Sequence, residues 1–260
     1  MQAPLLTIEN LDVGYKTRHE RKAVVRAINA TLHAGEVVAL IGLNGAGKST
    51  LLRTLSAFQP PLSGKVEFAM GDVANLSSAE LAKCVSVVLT ENSFAPLTVD
   101  ELVSLGRTPY TNFLGHLTAD DKAIVMAAME KMGVSHLAKR SVSTLSDGER
   151  QKCLIAKSIT QQTPLMLLDE PTAFLDFRSK VQLFCTLRTL ATDDGKAVVV
   201  STHDIEMALR FANKLWLIYD GKLYEGSAQE LATDGLLQRF IDGDGIIYDK
   251  ENNRIEITQI

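Results

Sequence analysis

Gly42-Leu-Asn-Gly-Ala-Gly47-Lys48-Ser49-Thr50 follows the apolar run Val37-Val-Ala-Leu-Ile41 and precedes residues 49–58, which read as a helix. Strand, glycine-rich loop and helix in that order match G-x-x-x-x-G-K-[ST], a phosphate-binding loop. Each residue type has a chemical reason. Gly42, Gly45 and Gly47 let the backbone bend and turn its amides toward phosphate oxygens. The helix behind them adds its positive N-terminal end. Lys48 is placed to reach β- and γ-phosphates, and the Ser49 hydroxyl to ligate Mg²⁺. Asn44, Ala46 and Thr50 complete the loop and count among its nucleotide contacts.

A phosphate loop needs an acid that orders the metal at the end of a neighbouring strand. Leu165-Met-Leu-Leu168 is apolar enough to run through a core and delivers Asp169-Glu170 at its exposed end. Asp169 is expected to hold Mg²⁺ and Glu170 to polarise the attacking water.

Around these two motifs the 260 residues are 46% hydrophobic and 22% charged, which excludes a disordered or low-complexity chain. Against 31 acidic residues stand 27 basic ones, a formal charge of −4, so no basic field attracts nucleic acid. Three widely spaced cysteines argue against a disulfide framework or a zinc site. The opening MQAPLLTIEN has no basic, apolar leader pattern and no run reaches membrane-span length, so a soluble cytoplasmic protein is expected.

Residues 5–13 and 23–32 read as an antiparallel β unit around a polar turn at 16–22, with further short strands at 66–68 and 85–89. From 98 to about 159 the pattern is helical. Thr98-Val-Asp-Glu101 and Thr118-Ala-Asp-Asp121 begin helices, and the second helix, 122–132, ends on Gly133. Strand–helix alternation then resumes through 165–168, 180–190, 197–201, 205–212 and 215–219, where Asp220-Gly221 fits a hairpin turn. The expectation is an α/β P-loop NTPase core with an antiparallel β subdomain and an inserted all-helical subdomain at about 98–160. It assigns 1–235 to one ATPase domain and 236–260 to a C-terminal extension with a possible hairpin near Glu251-Asn252-Asn253.

With the motifs in this order, residues 5–235 resemble the nucleotide-binding subunit of an ATP-binding cassette (ABC) transporter. Leu145-Ser-Asp-Gly148-Glu149-Arg-Gln151 is similar to that family's LSGGQ-type signature. Pro171-Thr172-Ala-Phe-Leu175-Asp176 is similar to its D-loop, and Ser201-Thr-His203-Asp204 carries its switch histidine. The resemblance implies that Tyr15 stacks on adenine, that His203 senses the γ-phosphate beside Glu170 and Lys48, and that Asp176 belongs to the nucleotide site. It further implies that Ser146, Gly148 and Glu149 meet an ATP bound by a second copy, so that the chain works as a homodimer across two ATP molecules. Two positions depart from the pattern. Asp147 stands where glycine is usual, and Glu91, an oxygen donor that still suits Mg²⁺, stands at the glutamine-loop position.

Thr98-Val-Asp-Glu-Leu102-Val-Ser-Leu-Gly106-Arg107-Thr-Pro109-Tyr110 is similar to a stretch of importer ATPases for iron–siderophore, haem and cobalamin. Leu102, Val103 and Leu105 either form the core face of that helix or belong to a region that docks a coupling helix of a membrane partner. The resemblance implies integral-membrane permease subunits, a substrate-binding protein acting through them, no nucleic-acid partner, and a place at the cytoplasmic face of the inner or plasma membrane. An exporter cassette, or a regulatory cassette that binds ATP with little hydrolysis, remains open at this stage.

Overall fold

The computed structural model describes residues 3–16, 20–89, 96–111, 115–243 and 245–258. The first half of the chain forms β1 (Leu6–Lys16), β2 (Arg21–Leu32), β3 (Val37–Gly42), α1 (Lys48–Leu55), β4 (Ser63–Phe68), β5 (Gly71–Asp72), α2 (Ser78–Cys84) and β6 (Val85–Val88). Helices α3 (Val99–Ser104), α4 (Ala119–Lys131) and α5 (Asp147–Thr160) follow. Then come β7 (Leu165–Asp169), α6 (Phe177–Thr192), β8 (Ala197–Ser201), α7 (Ile205–Phe211), β9 (Lys214–Tyr219) and β10 (Lys222–Gly226). The chain closes on α8 (Ala228–Thr233), α9 (Leu236–Ile241), β11 (Ile246–Asp249) and β12 (Arg254–Ile257).

Every residue of β3, β7 and β8 is buried, which is why these strands read as unbroken apolar runs rather than alternating ones. They lie adjacent and parallel in a six-stranded sheet of order β10-β9-β3-β8-β7-β6, in which only β10 runs antiparallel. Its hairpin with β9 turns on Asp220 and Gly221, both at positive φ (49° and 69°), as a tight two-residue connection demands. A second, antiparallel sheet has the order β2-β1-β4-β5. Leu51, Leu52 and Leu55 of α1 fill the space between the sheets with Leu6, Ile8 and Leu40. The expected α/β class is therefore the observed one.

Some boundaries differ for visible reasons. β1 and β2 extend past their apolar stretches because polar residues pair as well, Tyr15 with Lys22 and Lys16 with Arg21. The turn at 16–22 includes residues 17–19, which lie outside the described residues. Helix α1 stops at Leu55, earlier than expected. The Ser56 hydroxyl bonds back to the Leu52 carbonyl at 2.8 Å, and Ala57 takes a left-handed φ of 57°.

Between β6 and β7 the described residues hold helices and no strand. Thr98 and Thr118 each cap a helix, and Glu101 and Asp121 return the bond to their amides. Leu102 and Val103 are buried against Val125, Met129 and Ile155. Leu105 is 48% exposed, because the backbone tightens there into the 3-10 turn Leu105–Tyr110 and leaves the helical face. A Cβ on Gly106 would lie 2.3 Å from the Lys157 carbonyl oxygen, so only glycine lets this turn press onto α5. Arg107, buried beside it, binds Asp121 at 2.8 Å, the Thr160 carbonyl at 3.1 Å and Gln162 at 2.9 Å. One guanidinium thereby ties the start of α4 to the end of α5.

The last strands, β11 and β12, pair antiparallel. Leu237 and Tyr248 are buried with Ile41 and Leu217, so the C-terminal residues share a core with the parallel sheet. Among the described residues no helix is long and apolar enough to cross a membrane.

Candidate nucleotide-binding and hydrolysis site

β3 delivers Gly42 at the C-terminal edge of the parallel sheet, and the loop after it turns into α1 at Gly47. Gly47 holds the N-cap position at φ 109°, and no side chain caps the first turn. Its amides therefore face whatever anion the loop encloses. A Cβ at Gly47 would also come within 2.9 Å of the Val24 and Val25 side chains. Asn44, Gly45 and Ser49 are exposed, Ala46 is half-buried and Thr50 is buried. Lys48 is buried too, and its ammonium donates to the Gly42 and Leu43 carbonyls at 2.8 and 3.3 Å. Burial lowers its pKa below the ordinary lysine value, while the nearby Glu170 and Asp169 charges oppose that shift. The cation thus spans its own loop, with Asp169 and Glu170 at the end of β7 close enough to act on it.

Tyr15 presents an exposed ring at the end of β1, and its hydroxyl lies 2.9 Å from Thr50 Oγ1. The preceding Gly14 carbonyl accepts a bond from the Gln59 side chain. The aromatic platform is thereby held to the helix that follows the phosphate loop.

β7 and β8 end in register, Asp169 opposite Ser201. The buried Asp169 carboxylate accepts a 2.6 Å bond from the Ser201 hydroxyl, which in turn accepts the Glu170 N–H at 2.9 Å. Glu170 sits at φ 45°, an uncommon conformation for a side chain of its size, held by that bond and a second from its N–H to the Ser201 carbonyl at 3.2 Å. His203 Nδ1 lies 3.2 Å from Glu170 Oε2. Asp204 caps α7 and pairs with Lys180 at 3.2 Å, which fixes the turn that carries His203. Ser201 has no place among the residues expected from sequence. Its signal was a hydroxyl residue closing an apolar strand beside the strand of the metal acid.

Lys48, Asp169, Glu170 and His203 thus gather at the ends of three adjacent strands. The signature residues are arranged separately. Ser146 caps α5, its hydroxyl donating to the Glu149 carboxylate at 2.8 Å and accepting the Glu149 N–H at 3.3 Å. The Ser146 N–H also donates to Glu149 at 2.9 Å, the largest cause of that acid's lowered pKa. Asp176 caps α6 by accepting the Ser179 N–H at 2.7 Å. Glu149 and Asp176, expected as nucleotide contacts, thus each have partners within the chain at a helix start. A Cβ on Gly148 would meet the Phe174 carbonyl oxygen at 3.1 Å, so the signature packs directly on the loop after Glu170. Asp147 does not cap the helix; its carboxylate meets the Arg150 guanidinium at 2.9 Å. Glu91 lies outside the described residues.

Comparison with known proteins agrees with this geometry. The model of the ABC transporter family matches residues 25–173. An ABC transporter ATP-binding protein of Methanocaldococcus jannaschii is 41% identical over 220 residues, 84% of this chain and 74% of that protein. The iron(3+)-hydroxamate import ATP-binding protein of Bacillus subtilis is 34% identical over 253 residues, 96% of this chain and 92% of that one. The solved structure of a metal-chelate type ABC transporter in an inward-facing conformation superposes with a TM-score of 0.77 at 30% identity, covering 92% of this chain and 89% of its own. With motif order, strand topology and relatives in agreement, the chain belongs to the ABC transporter family as an ATP-binding cassette, an ATPase coupled to transport.

Proposed function

We propose that this cassette hydrolyses ATP to drive import of a metal chelate of the iron–siderophore, haem or cobalamin kind. The observation that carries the catalytic part is the convergence of Lys48, Asp169, Glu170 and His203 at one sheet edge. The cargo class rests on relatives named for iron(3+)-hydroxamate, ferric enterobactin and cobalamin import. The cassette spans residues 1–235, with its helical insertion at about 98–160 and an extension at 236–260.

Tyr15 receives the adenine face, and the amides from Gly42 to Thr50 receive the phosphates. Lys48 then exchanges its carbonyl partners for phosphate oxygens. Glu170 accepts a proton from the attacking water, oriented by its bonds to Ser201 and His203. Ser49 and Asp169 supply hard oxygen donors of the type Mg²⁺ takes, with Glu91 as a further oxygen ligand. Bound there, the metal would neutralise charge on the β- and γ-phosphates.

Cassettes of this family dimerise and work with membrane permease subunits. In this reading two copies form a homodimer, each completing the other's site with Ser146 and Gly148. They act at the cytoplasmic face of the inner or plasma membrane on permeases served by a substrate-binding protein. Copurification from native membranes, followed by uptake assays with a ferric siderophore, haem and cobalamin in reconstituted vesicles, tests the proposal. ATP-dependent uptake of one chelate, abolished by Glu170→Gln, is expected. Outward movement, or uptake of none of the three, would overturn the assignment.

A further inference from the structure

Two carboxylates and two guanidiniums surround the start of α5. Glu149, already bonded to Ser146, lies 3.9 Å from Arg140, whereas Asp147 meets Arg150 at 2.9 Å. The pairs are unequal in strength. The Arg150 side chain is only 19% exposed, and its other terminal nitrogen donates to the Leu145 carbonyl at 3.1 Å. Arg150 is thus anchored to the backbone entering the signature and draws the more exposed Asp147 carboxylate back along the helix. A charge-assisted bond of this length compensates the acid locally, where the amides of the first turn present positive charge.

We propose that Arg150 is a positioning residue for ATP-driven association. Its ion pair with Asp147 neutralises the carboxylate that stands in place of glycine, so the triphosphate held by a second copy meets a signature without net repulsion. The inference rests on the dimeric reading above, and Arg150 acts through Asp147 rather than on the nucleotide.

The test is association of the Glu170→Gln chain with Mg²⁺–ATP, followed by sedimentation across a salt series. Arg150→Gln should raise the ATP concentration for half-maximal association about fivefold at low ionic strength, and less than about twofold at high salt. In an Asp147→Gly background the same substitution should change it less than about twofold, because no carboxylate is left to compensate. Arg150→Lys keeps the charge and should restore most of the loss. Arg140→Gln, at the longer pair, should do less than Arg150→Gln. Asp147→Asn, at an exposed position that poses no folding risk, should leave the required ATP concentration within about twofold, because the pair already compensates the carboxylate. Equal losses from Arg150→Gln in both backgrounds, or weaker association of Asp147→Asn, would overturn the proposal. No association of the Glu170→Gln chain at any ATP concentration would instead remove the dimeric reading on which it rests.

Discussion

The Ser201 hydroxyl joins the two acids at the end of β7, donating to Asp169 at 2.6 Å and accepting the Glu170 N–H at 2.9 Å. One small side chain thus fixes both the Asp169 carboxylate and the backbone that aims the Glu170 carboxylate. Ser201→Ala would leave a buried carboxylate short of one donor and Glu170 free to relax from its left-handed conformation. A loss of about 1.5 kcal/mol in the transition state, roughly tenfold in kcat, is expected, with a smaller change in ATP affinity. Steady-state ATPase assays beside equilibrium nucleotide binding check it, and equal losses in both would mean that Ser201 only supports binding.

Glu170 and Lys48 separate chemistry from binding. Glu170→Gln leaves the loop, Lys48 and Asp169 in place, so ATP should bind while turnover falls about 10²-fold or more. Lys48→Ala removes the ammonium that spans the loop and should weaken binding itself. Titration with a fluorescent ATP analogue and single-turnover hydrolysis distinguish the two, and an undiminished rate in Glu170→Gln would reassign the base.

Much of this site was legible because its parts are local in sequence. The phosphate loop needs glycine, lysine and serine at fixed spacing, and an apolar run ending in Asp169-Glu170 shows both burial and exposure. The helix starts are legible for the same reason, and Ser77-Ser-Ala-Glu80 at the start of α2 carries the same capping signal as Thr98 and Thr118. What sequence did not show depends on pairing across the sheet or on side-chain direction. Ser201 gains its role only because β8 registers Ser201 against Asp169. That Arg150, one helical turn on, is the cation that meets Asp147 is visible only in the fold. The bonds that Glu149 takes from the Ser146 amide and hydroxyl likewise depend on side-chain direction.

The helical region should weaken in acid. The Thr118 hydroxyl, the Thr118 amide and the Arg107 guanidinium hold the Asp121 carboxyl at about 2, below its ordinary 3.8. The folded state therefore binds this proton less readily than the unfolded chain does. The stabilisation is complete above pH 3.8 and is lost as pH falls from there through about 2. Asp121→Asn should flatten the pH dependence of the denaturant midpoint within that window and lower stability near neutrality. An unchanged slope would detach Asp121 from acid unfolding.

Gly106→Ala tests the turn against which Arg107 is held. The added methyl would need the space of the Lys157 carbonyl, 2.3 Å away, so the turn or α5 must shift. Overpacking of this kind costs about 1–3 kcal/mol, read as a lower denaturant midpoint at unchanged slope. ATP binding, built at the ends of β3, β7 and β8, should change little.

The bond between Tyr15 and Thr50 should matter to nucleotide affinity. Tyr15→Phe keeps an aromatic face for adenine but deletes the hydroxyl that lies 2.9 Å from Thr50 Oγ1. If stacking alone mattered, Phe would serve as well as Tyr. Because the ring is exposed and its far end is tied to the helix behind the phosphate loop, losing the bond frees the platform to reorient. A net hydrogen bond of about 0.5–1.5 kcal/mol corresponds to a rise in KM of roughly twofold to tenfold with little change in kcat. Thr50→Val removes the same bond from the other side, and the double variant should lose little more than either single one. Additive losses would show that the two residues act independently, and a Tyr15→Phe chain with unaltered KM would reduce Tyr15 to its ring alone.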